Sequence, residues 1–459
     1  MNFERIHSVY FLGIGGIGMS ALARYFLAND KVVGGYDLTS TPLTQELEEL
    51  GMQIHYEDNV DLISEVFKQK ETTLIVYTPA IPEGHAEFEF LKSKGFELHK
   101  RAKVLGELFN SKQGIAVAGT HGKTSVTTFA SFLLQETGIG CSAFLGGISK
   151  NFKSNLVLSK SNNIVAEADE FDRSFLQLYP KTLLVTTVDV DHLDIYKDLN
   201  DINNTFSELL KQVDKDGTII LNEMVNLELP SGPNYYSYSL ENADTDFYAS
   251  NIQVVNGAYQ FTFHTPKWQI DNLRLEVPGK TNIENAVAAM ALCYVHGATA
   301  EALAISLPQL QGAVRRFDVQ YKTDKKIYID DYAHHPRELD AVIGSVREMY
   351  PGKKLTVVFQ PHLYSRTNDF ASEFAESLSK ADELILLDIY PARENPLPGV
   401  TSELIFNQVS IKNKGRCSKV NLLHNIKELN IEVLLTVGAG DIDQYVGLIK
   451  QLLVHNEEN

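Results

Sequence analysis

Cysteine and tryptophan are scarce: the 459 residues include three of the first and one of the second. Cys141, Cys293 and Cys417 are far apart and odd in number. That excludes a disulfide framework and a Cys-x-x-Cys metal site, and such thiols read as small buried apolar residues. Positive charge is also short. Lysine plus arginine total 41 against 59 acids, a formal charge of −18. A nucleic-acid partner needs a net basic surface, so that class is excluded, although a local basic pocket for a small anion is not. Long apolar runs are missing, and none reaches the roughly 18 residues that a membrane helix requires. The stretch 1–20 is apolar in its middle, but Gly13, Gly15, Gly16 and Gly18 ruin a signal-peptide helix and no Ala-x-Ala site follows. The expected location is the cytoplasm, with no membrane partner. Low-complexity segments and internal repeats are absent. Oligomeric state is not legible.

What is present is ordinary globular composition, 44% apolar and 22% charged. At roughly 150 residues per domain the length suggests three domains. Strand-like and helix-like segments alternate throughout, the pattern of α/β layers on parallel sheets. The alternation restarts at Ser8–Leu12, at Ile115–Ala118 and at Leu355–Phe359, the last followed by Leu384–Leu387 and Val433–Val437. Each restart is expected to open a new sheet. Boundaries are expected near Leu108–Lys112 and near Gly312–Phe317, after a helical run Ile283–His296. Residues 245–277 differ. Tyr248–Ile252, Ala258–His264 and Leu273–Val277 alternate like antiparallel strands, with a turn at Asn256-Gly257, and predict a β insertion. The polar tail His455–Asn459 is expected to fray.

Two glycine turns carry the chemistry. The first, Gly13-Ile14-Gly15-Gly16-Ile17-Gly18, joins strand Ser8–Leu12 to helix Met19–Leu27. A second strand, Val32–Tyr36, ends in Asp37, about 20 residues past the turn, where a dinucleotide fingerprint places its ribose-binding carboxylate. Strand, turn, helix, strand and acid in this order point to a nucleotide or diphosphate at the helix N-terminus. Taken alone, this turn suggests an NAD-dependent oxidoreductase.

The second turn, Gly119-Thr120-His121-Gly122-Lys123-Thr124, joins strand Ile115–Ala118 to helix Ser125–Glu136. It is a short P-loop, its first glycine two residues later than the standard spacing. The chemistry still fits ATP. Amides cradle phosphates, Lys123 neutralises the outer phosphate charge and the Thr124 hydroxyl can hold Mg²⁺. Two acidic clusters follow strands. Glu167, Asp169, Glu170 and Asp172 follow Asn163–Ala166, and Asp189, Asp191, His192 and Asp194 follow Leu183–Thr187. Oxygen ligands with one imidazole suit Mg²⁺ or Mn²⁺ beside phosphates. Asn-Lys-x-Asp, His-Arg-Asp and Asp-Phe-Gly are missing, which excludes GTPase and kinase readings.

The order of these motifs, continued by Asn282-x-x-Asn285, Arg315-Arg316-Phe317 and Asp330-Asp331-Tyr332-Ala333-His334-His335-Pro336, resembles the Mur ligase family along nearly the whole chain. The resemblance implies a UDP-binding Rossmann-like domain at 1–109, a central P-loop ATPase domain with the β insertion at 110–313, and a Rossmann-like domain that brings the amino acid at 314–459. It implies an ATP-dependent, amide-forming reaction between L-alanine and the carboxylate of UDP-N-acetylmuramate, in peptidoglycan synthesis. A sister activity attaches a preformed peptide to the same nucleotide, and only the amino-acid pocket separates the two. The oxidoreductase reading gives no role to Lys123 or the acids.

The resemblance also distributes roles. Gly13, Gly15, Gly16, Ile17, Gly18 and Met19 would hold the UDP diphosphate, with Asp37 near the nucleoside and Thr78, Ala80 and Arg101 completing the site. Gly119, Thr120, His121, Gly122, Lys123, Thr124 and Ser125 would hold the ATP phosphates. Thr124 and Glu167 would bind one Mg²⁺, and His192 a second. Asn282 and Asn285, which alone read equally as an N-cap and a packed amide, would lie near adenine, three apart on one helix face. Arg316 would reach the phosphates and Asp331 the ribose. Tyr332, His334 and Arg366 would surround the alanine. By themselves His334 and His335 read as packed histidines beside a proline turn. Many relatives carry an arginine where this chain has Leu363, which leaves more of the carboxylate anchoring to Arg366.

Overall fold

The computed structural model describes residues 1–189, 195–255, 257–392 and 394–458. Its contacts divide the chain into two compact units. The first comprises Met1–Ile252, Gln260–Arg274 and Glu284–Gly312, and the second Gln253–Tyr259, Leu275–Ile283 and Ala313–Asn459.

The first unit contains two large sheets and most of a small one. Strands β1 (Ser8–Leu12), β2 (Val32–Tyr36), β3 (Gln53–His55), β4 (Thr73–Tyr77) and β5 (Leu98–Lys100) form an all-parallel sheet in the order β3-β2-β1-β4-β5. Every residue of β1 is buried, as expected of a parallel strand covered by helices on both faces. The strand order reverses between β1 and β4. The loops after those two strands therefore diverge and leave a crevice.

The central sheet holds β6 (Gln113–Ala118), β7 (Ser142–Ser149), β8 (Ser154–Val157), β9 (Asn163–Ala168), β10 (Thr182–Val185), β11 (Thr218–Asn222) and β12 (Asn234–Tyr238). Their order is β12-β11-β10-β6-β9-β7-β8, with β8 the antiparallel edge. β6 lies between β10 and β9, so its loop opens where neighbouring chain segments separate. The register sets Val117 of β6 opposite Glu167 of β9. β9 runs two residues beyond Ala166, which places Glu167 inside the sheet. β10 stops at Val185, short of the expected Thr187, and leaves Thr186 and Thr187 free to meet the P-loop.

Strands β13 (Tyr248–Val255), β14 (Ala258–His264) and β15 (Gln269–Leu275) form the expected insertion. Asn256 of the expected turn lies outside the described residues. The third strand sits a few residues earlier than its alternation suggested.

In the second unit, β16 (Asp318–Lys322), β17 (Ile327–Asp331), β18 (Leu355–Phe359), β19 (Glu383–Leu386), β20 (Asn413–Arg416) and β21 (Val433–Val437) are ordered β16-β17-β21-β18-β19-β20. Only β16 is antiparallel. Helix Pro336–Met349 starts on a proline at its first turn and a reciprocal cap between His335 and Glu338. The closing helix Val446–Glu458 continues through most of the tail expected to fray, because its apolar face packs Ile449 and Leu453 into the core. Among the described residues no helix is long and apolar enough to cross a membrane.

Candidate active site

The first glycine turn brings its predicted partners together. A methyl group built on Gly13 would stand 2.5 Å from Thr78 Cγ2, so the loops after β1 and β4 meet at their first residues, where the crevice begins. The Gly15 amide donates to Asp37 Oδ2 at 2.7 Å. A methyl on Gly18 would stand 2.8 Å from Arg101 Nη1. Gly16 begins helix Ile17–Ala28 with no side-chain cap and no acid in the first turn, leaving its amides to an anion. Met19 is buried beneath the turn. Ala80 is exposed, its amide donating to Thr78 Oγ1 at 3.4 Å. Asn155 of β8 donates to Ile17 O at 2.6 Å and to Ser20 Oγ at 2.8 Å, pinning this helix to the central sheet.

The second turn is built as tightly. Gly119 has φ +134°, and a methyl there would stand 2.0 Å from Thr186 Oγ1. Only glycine combines that backbone with that approach. The Thr120 amide donates to Thr187 O at 2.9 Å, and the His121 amide to Thr187 Oγ1 at 3.0 Å. His121 Nε2 lies 3.6 Å from Asp189. Gly122, at φ +82°, starts helix Lys123–Glu136 without a side-chain cap, and its Cα faces the amide of Asn285. Ser125 is buried in the first turn.

Lys123 Nζ donates to Gly119 O at 2.6 Å and pairs with Glu170 Oε2 at 2.7 Å. Burial works against its charge, but Glu170, Asp169 and Glu167 outweigh that and hold the ammonium above its usual range. Glu170 appeared in the sequence only as one acid of a cluster. Nothing in the spacing marked it as the lysine's partner, because the contact joins positions 123 and 170. Thr124 Oγ1 donates to Glu167 Oε2 at 3.0 Å. Arg101, Glu167 and Asp169 line one small cavity with Ser174 and Phe175, so the first turn's arginine and the second turn's acid share a wall. His192, Asp191 and Asp194 lie outside the described residues. A hydroxyl, a carboxylate and uncapped helix amides around a space that a glycine keeps open fit a phosphate with a hard divalent cation.

In the second unit, Asp331 ends β17, and its oxygens accept from the Phe317 amide at 2.6 Å and the Ala333 amide at 2.7 Å. Burial pushes its carboxyl up to about 6, with Arg316 and the two amides pulling the other way. Arg316 stands over the Tyr332 ring at 5.1 Å, and Arg315 over it at 5.4 Å. Arg315, absent from the predicted site, ties the loop by donating to Asp330 and to Gly438 O. His334 meets Tyr332 edge to face at 5.2 Å and approaches Glu338 at 3.4 Å. His335 instead caps a helix, its side chain accepting from the Arg337 amide. Arg366 is buried in helix Tyr364–Asp369, and burial pushes the Tyr332 hydroxyl up against the opposing charges of Arg316, Arg315 and Arg366. Asn282 donates to Pro278 O at 2.6 Å.

Three family descriptions match the chain in order. "Mur ligase family, catalytic domain" covers residues 8–113, "Mur ligase middle domain" 117–293 and "Mur ligase, glutamate ligase domain" 315–442. A UDP-N-acetylmuramate–L-alanine ligase of Parabacteroides distasonis is 50% identical over 456 residues, covering 99% of this chain and 98% of its own. A crystal structure of a UDP-N-acetylmuramate–alanine ligase from Thermotoga maritima superposes with a TM-score of 0.83 at 24% identity, covering 98% of this chain and 99% of that one. A murein peptide ligase from Psychrobacter arcticus shares the fold at a TM-score of 0.70 and 21% identity, covering 98% of both chains. The fold is thus three-domain α/β, and the chain belongs to the Mur ligase family.

Proposed function

We propose that this chain joins L-alanine to the carboxylate of UDP-N-acetylmuramate, with ATP converted to ADP and phosphate, in peptidoglycan synthesis. The observation that supports it most is the grouping of Lys123, Thr124 and Glu167 at the end of β6 and β9, in a chain half identical to a ligase of that name. A carboxylate is a poor acyl donor because its oxygen leaves badly. Attack of the substrate carboxylate on the γ-phosphorus of ATP releases ADP and gives an acyl phosphate. The neutral amine of alanine then attacks the acyl carbon, and phosphate departs as HPO4²⁻, its charge balanced by the proton that the amine gives up.

In this reading the domains extend over 1–109, 110–313 and 314–459. Gly13, Gly15, Gly16, Ile17, Gly18, Met19, Thr78, Ala80 and Arg101 hold the UDP-sugar, with Asp37 bracing the turn. The loop Gly119–Ser125 and Arg316 hold the ATP phosphates, and Asn282, Asn285 and Asp331 the nucleoside. Thr124 and Glu167 would hold one Mg²⁺ and His192 a second, and the ions would neutralise phosphate charge. Lys123 draws two like-charged groups together, which is positioning and electrostatic stabilisation. Tyr332 and His334 orient the amine, and the planar fork of Arg366 takes the alanine carboxylate.

The test is phosphate release with ATP, Mg²⁺, UDP-N-acetylmuramate and single amino acids, omitting one component at a time. Release that requires all of them, with L-alanine best, is the expected result. Release with a preformed peptide but not with alanine would move the chain to the sister activity. No release in any combination would overturn both.

A further inference from the structure

The P-loop lysine is already fully engaged by the protein. An ammonium has three protons to donate. Lys123 Nζ spends them on Gly119 O at 2.6 Å, Thr120 O at 3.3 Å and the carboxylate of Glu170, whose oxygens lie 2.7 and 3.0 Å away. Of these acceptors only Glu170 carries a formal charge. Its side chain is 4% exposed, so the pair is little screened by solvent. A phosphate that recruits Lys123 must displace one of these acceptors, and Glu170 is the one that competes with it as an anion.

The backbone under Glu170 is held firmly. Its carbonyl accepts from the Tyr196 hydroxyl at 2.7 Å and from the Arg173 amide at 2.9 Å. The next turn is wound through Asp172 at φ +54° and Arg173 at φ +51°, two consecutive non-glycine residues in the left-handed region. Such backbone costs on the order of 1–3 kcal/mol per residue and persists only where its surroundings impose it. Here Asp172 is held by Lys100 at 2.7 Å, and Arg173 is held by both oxygens of Asp201 at 2.7 and 2.9 Å. The backbone that carries the carboxylate is thus fixed, and the longer lysine arm has the greater reach.

We propose that Glu170 is a positioning residue that competes with nucleotide phosphate for Lys123, holding the ammonium in place between turnovers and recovering it as ADP leaves. This deepens the assignment of Lys123 to the ATP phosphates and rests on it. The carboxylate weakens nucleotide binding and speeds product release, so binding and turnover change in opposite senses when its charge is removed.

Glu170→Gln keeps the size and an acceptor oxygen but removes the charge, and Glu170→Asp keeps the charge on a shorter arm. ADP affinity is measured on the full chain by titration calorimetry, alongside kcat, KM for ATP and the melting temperature. Lys123→Ala serves as the comparator. Glu170→Gln is expected to bind ADP at least ~5-fold tighter, with KM for ATP and kcat both reduced. Glu170→Asp is expected to return all three toward wild type. A merely structural pair predicts the reverse sign, weaker binding together with a lower melting temperature. Unchanged or weaker ADP binding in Glu170→Gln overturns the proposal. Should that variant fail to fold, unchanged ADP affinity and dissociation rate in Glu170→Asp overturn it instead. Lys123→Ala binding ADP as wild type does would overturn the underlying P-loop assignment, a separate result.

Discussion

Thr124 Oγ1 lies 3.0 Å from Glu167 Oε2, although 43 residues separate them in the chain. The hydroxyl comes from the first turn of the helix after β6 and the carboxylate from the end of β9, adjacent strands of one sheet. A helix N-terminus attracts the anion while the carboxylate and hydroxyl suit the cation that accompanies it.

Removing either partner is expected to cost activity far more than stability. Glu167→Gln and Thr124→Ala should each lower kcat/KM by about 10²–10³-fold, as loss of one preorganised electrostatic contact does. Thr124→Ser keeps the oxygen and should recover most of it. Steady-state rates across a Mg²⁺ titration test this. Full activity of Glu167→Gln at ordinary Mg²⁺ would remove Glu167 from the site.

Glu167 is held in place by an absent side chain. A methyl built on Gly146 would stand 1.8 Å from Glu167 Oε2, closer than any real contact. Gly146→Ala should therefore displace the carboxylate, the end of a flexible side chain, at little cost in stability, and reproduce the kinetic defect of Glu167→Gln. Activity matching wild type, with a native melting temperature, would show that the carboxylate position does not matter.

Local signals carried most of this architecture. β1, β2, β14, β18 and β21 occupy the expected residues, because a short apolar run between turn residues allows few readings. The glycine turns were legible because their function is a backbone shape that only certain residues permit. Glu170 and Arg315 were not, since each acts through a partner brought close by the sheet. Thr186 and Thr187 were hidden in an overlong strand, and only the end of β10 at Val185 shows that they brace the P-loop. The separate tasks of His334 and His335 also required the structure, because adjacent identical residues differ only in what they face.

Leu363 sits at φ +68° and ψ 141° just before helix Tyr364–Asp369, a backbone that a branched side chain strains to adopt. Its amide donates to Tyr390 O at 3.0 Å, which holds it there. Elsewhere glycine is less stable than alanine by about 0.5–1 kcal/mol. At this position the order should invert. Leu363→Ala and Leu363→Gly both lose the buried isopropyl group, but only glycine relieves the strain, so Leu363→Gly should be the more stable of the two by about 1 kcal/mol. Denaturant melts of the pair decide it, and alanine proving more stable would show that no strain is stored there.

A buried network in the first sheet makes stability depend on pH. Glu87 is fully buried, accepts from the Tyr10 hydroxyl at 2.7 Å and from the Asn59 amide at 3.2 Å, and lies 3.4 Å from His55. Burial pushes its carboxyl from 4.5 up to about 7, with the two hydrogen bonds opposing and Asp58 adding to the rise. A carboxyl raised in the folded state contributes stability that is complete below its unfolded value and is lost as pH climbs through the folded one. The window therefore runs from 4.5 to about 7, and the loss across it is about 3 kcal/mol at 1.36 kcal/mol per unit. His55 and His85 act in the opposite sense, since burial pushes both down and their contributions grow as pH rises through the same range. Glu87 must therefore be isolated by difference. Glu87→Gln carries a penalty with a pH-independent part, because one amide oxygen cannot take both hydrogen bonds that the two carboxyl oxygens accept from Tyr10 and Asn59, and a part that follows the titration of Glu87. Measured by urea denaturation at a series of pH values, that penalty should be largest near pH 4.5 and shrink by about 3 kcal/mol toward pH 7. A penalty that stays constant across the series would mean that Glu87 folds with the same proton affinity as in the open chain.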